Sequence, residues 1–341
     1  MGNCCRSAPA QSTRNAEPSA ELATKEPCGV SVAESVKRIV VVGAGFGGLS
    51  ACQKWSAMLD DTSINVQVTL VDKRTDMSVG ASWQYVMMGR MDLSETLRPL
   101  SKALLHTKIV RLFGTEVTAV DLASKYVRVR DGSGAHQSLQ YDYLVLAPGT
   151  VSSPDSIPGL AEHCIDMCSP SSCEEIAKRV KACKGGETIM FVTAMNPYKC
   201  PPAIFEYAFL CDEMLRATGV RDSCKVIVTN PAHPFPFGSP AVHRAFLEQV
   251  AAKGIEFVPG VKPTQCMGGE VEFIGSEGPE IGKRTKIKAD VLVGMFPQFP
   301  PEPFMELCNE RGFIPVRSLD CFTVAMPECS EWGCPVTQWC M

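Results

Sequence analysis

The chain has 341 residues, 45% of them apolar, with a formal net charge of −4. That length suits about two domains with cores of their own. The weak acidic balance argues against a nucleic-acid partner, and no apolar run reaches the roughly 18–20 residues that cross a bilayer.

Seventeen cysteines are spread irregularly, with no C-x-x-C pair. Neither a zinc framework nor a disulfide scaffold is expected, and no metal site is assigned. Residues 1–35 are rich in Ser, Thr, Ala, Pro and charge and read as a disordered leader. Gly2, Cys4 and Cys5 are candidates for double acylation, which would hold the chain at a membrane surface. Arg6 stands where the acylation motif places Ser or Thr, so an unmodified tail is the alternative.

Lys37 to Val42 is an apolar, β-branched run suited to a strand buried on both faces. Gly43-Ala44-Gly45-Phe46-Gly47-Gly48 follows, and then a helical pattern from Leu49 to Met58. Gly43 permits the tight turn, Gly45 admits a pyrophosphate to the backbone, and Gly48 lets helix and strand pack closely. A second strand, Val66 to Val71, ends at Asp72, 24 residues beyond Gly48, near the spacing of a ribose ligand. Strands over 116–121 and 126–130 precede a third, Tyr141 to Leu146, which closes on Ala147-Pro148-Gly149-Thr150.

Those pieces in that order resemble the two-dinucleotide-domain FAD oxidoreductases. The resemblance implies an α/β protein with two Rossmann-like domains and FAD on the first. It also implies cofactor contacts at Gly43, Gly45, Phe46, Gly47, Gly48, Asp72, Val117, Ala147 and Gly149. The FAD domain is expected to be discontinuous, over 36–155 and 287–341, with the second domain inserted over 156–286.

A helix over 171–183 and a strand over 187–193 open the second unit. A nicotinamide nucleotide would need glycines next. The chain instead reads Ala194-Met195-Asn196-Pro197-Tyr198-Lys199-Cys200-Pro201-Pro202, whose bulk and prolines block a pyrophosphate. This run, with Ala203 to Leu215 after it, resembles the sulfide:quinone oxidoreductases and the flavoprotein subunit of flavocytochrome c sulfide dehydrogenase. Carried over, the redox cysteine is Cys200, and a thiolate there would sit at a helix N-terminus beside Lys199. No role is assigned to Tyr198 or Glu206, and His233 and His243 read as structural.

The chain departs from that family at two places. Ile314 stands where the sulfide-oxidising relatives hold a second redox cysteine, with Cys321 and Cys334 nearby in sequence. No Gly-Asp dipeptide occurs, so the C-terminal FAD segment reads as truncated. The leading expectation is a flavoprotein taking two electrons from a small sulfur donor at Cys200 and passing them to a quinone or protein acceptor. An NAD(P)H-linked flavin reductase of the type II NADH dehydrogenase kind stays open. So does a catalytically impaired flavin-fold protein that binds or regulates at a membrane surface.

Overall fold

The computed structural model describes residues 36–309, 314 and 337–338, apart from 57, 62, 64, 195–198 and 233–239. The leader with Gly2, Cys4 and Cys5 lies outside the described residues, as do Tyr198, His233, Cys321 and Cys334.

β1 (Lys37–Val42) leads through the glycine turn into α1 (Phe46–Ser56), and β2 (Val66–Asp72) then returns parallel to β1 with Lys37 beside Val66. A parallel pair requires such a crossover, and the helix supplies it. β3 (Asp76–Ser78) and β4 (Leu97–Pro99) pair antiparallel and bracket α2 (Trp83–Met87). β5 (Val110–Phe113) adds the outer strand beside β2. β6 (Glu116–Asp121), β7 (Tyr126–Arg130) and β8 (His136–Gln140) form an antiparallel sheet of their own. β9 (Tyr143–Leu146) then joins the other side of β1 in parallel. The first sheet is buried on both faces: Val40, Val42 and Leu144 pack towards β6–β7, while Val41, Leu70 and Val145 pack towards α1.

After the short β10 (Val151–Ser152) and α3 (Leu160–His163), the chain builds a second sheet. Its elements are β11 (Cys164–Asp166), α4 (Ser172–Lys181), β12 (Thr188–Thr193), α5 (Ala203–Ala217), β13 (Lys225–Asn230), α6 (Pro240–Ala252) and β14 (Ile255–Pro259). An antiparallel sheet of β15 (Val261–Met267), β16 (Glu270–Gly275) and β17 (Arg284–Lys288) follows. β18 (Val291–Met295) then enters the second sheet between β11 and β12, in parallel with both. β19 (Gln298–Phe299) pairs antiparallel with β10, and Thr337–Gln338 (β20) lies beside β9.

Strand alternation assigns the two faces of the second sheet. Ile189 and Phe191 of β12 and Val226 and Val228 of β13 pack against α4, α5 and α6. Met190, Val192 and Ile227 pack against Val271 and Phe273 of the antiparallel sheet. The family resemblance implies that the chain returns to the FAD domain at 287. The structure corrects this for β18, because all five of its residues are buried within the second sheet.

Two long-range features were not foreseen. The flap between β3 and β4 sends Val86 and Met87 of α2 into the core of the second sheet. Asp212 of α5 is fully buried and accepts hydrogen bonds from Arg216, from Lys253 and from the buried Arg221. The Arg221 guanidinium also donates to the carbonyls of Cys224, Lys253 and Gly254, tying α5, β13 and the end of α6 together.

Candidate functional site

The glycine turn sits where β1, β2 and β9 end together. Gly43 has φ +96°, and a Cβ there would lie 2.0 Å from the carbonyl oxygen of Ala147. A Cβ on Gly48 would meet the carbonyl oxygen of Gly43 at 1.8 Å. Both glycines are therefore required by close backbone approach within the chain itself. Gly45 differs: nothing lies within 4 Å of its Cβ position, which leaves open space at the head of α1. The first turn of α1 carries no acidic residue, and its amides have no intrahelical partners. That combination fits a pyrophosphate. Phe46, 57% exposed, opens α1, so its amide is among those at the helix head.

Asp72, only 6% exposed, ends β2. Its Oδ2 accepts the Ala44 amide at 2.6 Å and its Oδ1 accepts the Arg74 amide at 2.8 Å. The Arg74 guanidinium reaches the same carboxylate at 3.3 and 3.4 Å. Asp72 thus clamps the glycine turn to β2. A ribose hydroxyl would compete with the long Arg74 contacts, which are the weakest of the four.

Ala147 donates its amide to the carbonyl of Val42 at 2.8 Å, and Gly149 has φ +71° with open space at its Cβ position. Val117 buries its side chain in the core beside β7, two residues after Thr115, whose amide donates to the Asp72 carbonyl at 3.0 Å. β6 is an edge strand, so one row of its backbone groups is left unused by its sheet. The structure therefore brings Gly43 to Gly48, Asp72, Val117, Ala147 and Gly149 to one edge, and they suit the adenosine diphosphate half of FAD.

Cys200 lies at the corresponding edge of the second sheet, three residues ahead of α5, and its carbonyl accepts the Ala203 amide at 3.2 Å. Among the described cysteines it is the exposed one; the others are buried or half-buried. Lys199 beside it is also exposed. Glu206, in the first turn of α5, accepts a hydrogen bond from Gln84 of α2 at 2.9 Å.

A second thiol near this edge escaped the sequence reading. Burial, reinforced by the Asp166 carboxylate, pushes the Cys168 thiol up to about 12, against the pull of Lys199 and with a push from Cys200. Cys168 follows β11, two strands from β12, and only the strand order β11-β18-β12 places it within electrostatic reach of Cys200. Ile314, by contrast, is buried in the core with Phe304 and Leu144.

Residues 37–192 match the family model of pyridine nucleotide-disulphide oxidoreductases. Residues 173–292 match that of the central part of the sulfide dehydrogenase (flavocytochrome c) flavoprotein chain. Together the two matches span residues 37–292, and both make this chain similar to the FAD/NAD(P)-dependent oxidoreductases. FAD is the cofactor of those oxidoreductases. Among curated relatives, a mitochondrial sulfide:quinone oxidoreductase of Dictyostelium discoideum is 25% identical over 198 residues, 57% of this chain and 42% of the relative. A type II NADH:quinone oxidoreductase of Staphylococcus aureus is 25% identical over 151 residues, 44% of this chain and 35% of the relative. The chain thus spans less than half the length of these relatives. The solved sulfide:quinone oxidoreductase of Aquifex aeolicus shares the fold with a TM-score of 0.70 at 19% identity, covering 90% of this chain and 72% of that one. No described helix is long and apolar enough to cross a membrane.

Proposed function

We propose that the protein is an FAD-dependent oxidoreductase that takes two electrons from a small sulfur nucleophile at Cys200 and delivers them to a quinone or protein acceptor. The observation that carries this reading is the exposure of Cys200 at a sheet edge, in a chain whose other described thiols are withdrawn from solvent. An exposed thiolate is the form that reacts with sulfur species. FAD, when bound by the first sheet, supplies a two-electron acceptor.

A hydrosulfide sulfur bonds to the Cys200 sulfur, giving a persulfide, with release of one proton and one electron pair. FAD, held by the Gly43 to Gly48 turn and Asp72, would supply the acceptor for that pair. Cys168 stays a neutral thiol at neutral pH, because burial holds its proton. Ile314 offers no sulfur, so the reading uses Cys200 without a disulfide to that position.

The alternative of an NAD(P)H donor has support from the type II NADH:quinone oxidoreductase relative. Against it stands the proline-rich, glycine-free run after Thr193. Anaerobic absorbance titration of the purified protein separates the two. Bleaching of bound flavin by sulfide, lost in Cys200→Ser, is the expected result. Rapid bleaching by NADH with no response to sulfide would overturn the sulfur reading, and a chain that takes up no FAD would favour the catalytically impaired one.

A further inference from the structure

The edge of the second sheet holds polar atoms that the proposed sulfur chemistry does not use. Thr193 and Asn230 end β12 and β13, and both are fully buried. Thr193 Oγ1, Asn230 Nδ2 and His243 Nδ1 are buried without a hydrogen-bond partner. Asn230 is half satisfied, since its Oδ1 accepts the Ala232 amide at 2.9 Å.

All three lie on the helix side of this sheet. Phe191 and Val228, two residues before Thr193 and Asn230, pack into the core shared with α5 and α6, so alternation turns Thr193 and Asn230 the same way. Val192 pairs with Thr229, which makes Thr193 and Asn230 neighbours across the strands. β12, α5, β13, α6 and β14 succeed one another in parallel order, so α5 and α6 run side by side with their N-termini at this edge. The Phe246 ring of α6 stands edge-on to Phe205 of α5 at 4.5 Å. His243, three residues earlier, lies on the same face one turn closer to the sheet edge.

A buried polar atom left unpaired is costly, and three on the helix side of one sheet end, beside the heads of two helices, mark a place for a ligand. Crevices at the carboxyl ends of parallel strands are where such sheets bind ligands. We propose that Thr193, Asn230 and His243 form a binding site for a small oxyanion, with the amide and hydroxyl donating and the imidazole donating from Nδ1. The free functionality at Asn230 is a donor, and the positive ends of α5 and α6 favour negative charge. Glu206, the acid in the first turn of α5, is exposed and bonded to Gln84, and α6 has no acid in its first turn. The complete burial of Thr193 and Asn230, and Pro201 and Pro202 ahead of α5, limit the ligand to a few atoms and exclude a dinucleotide.

This site is independent of the electron-transfer reading, and its test does not use activity. Calorimetric titration of the full chain with inorganic sulfate and with inorganic phosphate, against sodium chloride at matched ionic strength, should show saturable binding. Thr193→Val should weaken it about tenfold, one hydrogen bond's worth, and Asn230→Asp should abolish it by setting a carboxylate against the anion. The His243 Nδ1 resonance in nitrogen-15 NMR should shift with the same midpoint. Thr193→Val removes an unpaired hydroxyl without changing shape, so it folds even where Asn230→Asp does not. Equal affinity in wild type and Thr193→Val, absence of saturable binding, or binding of adenosine monophosphate without binding of inorganic phosphate would each overturn the proposal.

Discussion

The two parallel sheets end in edges of opposite character. At the first, the strands stop in glycines that let backbone pass within contact distance of backbone, and Gly45 faces open space. At the second, β12 stops in Thr193 and runs on into prolines and Cys200, with polar atoms sealed beneath. One topology therefore ends in two chemically different edges. Strand order places the crevice, and the few residues after each strand decide what can enter it.

The comparison can be broken most severely from the far side of the second sheet. Asp212→Ala leaves the Arg221 guanidinium buried without its carboxylate and should cost about 3–5 kcal/mol. FAD binding should survive in whatever fraction stays folded, since the glycine edge is untouched. Urea melts followed by flavin absorbance and by circular dichroism check both halves of that statement. Burial pushes the Asp212 carboxyl up, but the hydrogen bonds and charges of Arg216 and Arg221 outweigh it and leave it below its ordinary value. A lowered folded value means that this stabilisation is fully present above the unfolded carboxylate pKa of about 3.9 and is lost as pH falls through the folded one. Melts between pH 2 and 6 should show that loss in wild type and a flatter profile in the variant.

At the first edge, Gly43→Ala forces a Cβ onto the Ala147 carbonyl and strains a positive φ, at about 3 kcal/mol. The purified variant should be colourless. Asp72→Asn keeps the shape but removes the charge that holds the Ala44 amide, and should weaken FAD binding by about 2 kcal/mol, read by calorimetry on the apoprotein. Smallest in stability is Cys200→Ser. An exposed substitution should move the unfolding free energy by less than about 0.5 kcal/mol while removing the sulfide response. A large loss of stability in this variant would mean that Cys200 is structural.

The first edge was legible in the sequence because its signals are local. Val40 to Val42, the spaced glycines and the acid ending β2 lie within one strand-turn-helix-strand unit, and each residue's requirement follows from its neighbours. The clamp of Asp72 on Ala44 was not legible, because an acid at that spacing reads as a ribose ligand. Nor was the membership of β18: an apolar strand carries no mark of which sheet will pair with it. Cys168 and the trio of Thr193, Asn230 and His243 were missed for the same reason. Each depends on strand order or on the packing of α5 against α6, and no spacing along the chain reports either.

The two passages between the sheets are joined to each other. β10 and β19 pair antiparallel, the Ser153 amide donates to the Pro297 carbonyl at 2.8 Å, and the Gln298 side-chain amide donates to Ser152 Oγ at 2.7 Å. Two separate tethers would allow one body to twist and slide against the other. A laced ribbon resists twist and slip, since either would break its rungs, and it flexes most readily across its flat face. Any motion of one sheet against the other should therefore follow a single bending axis set by residues 151–153 and 297–299.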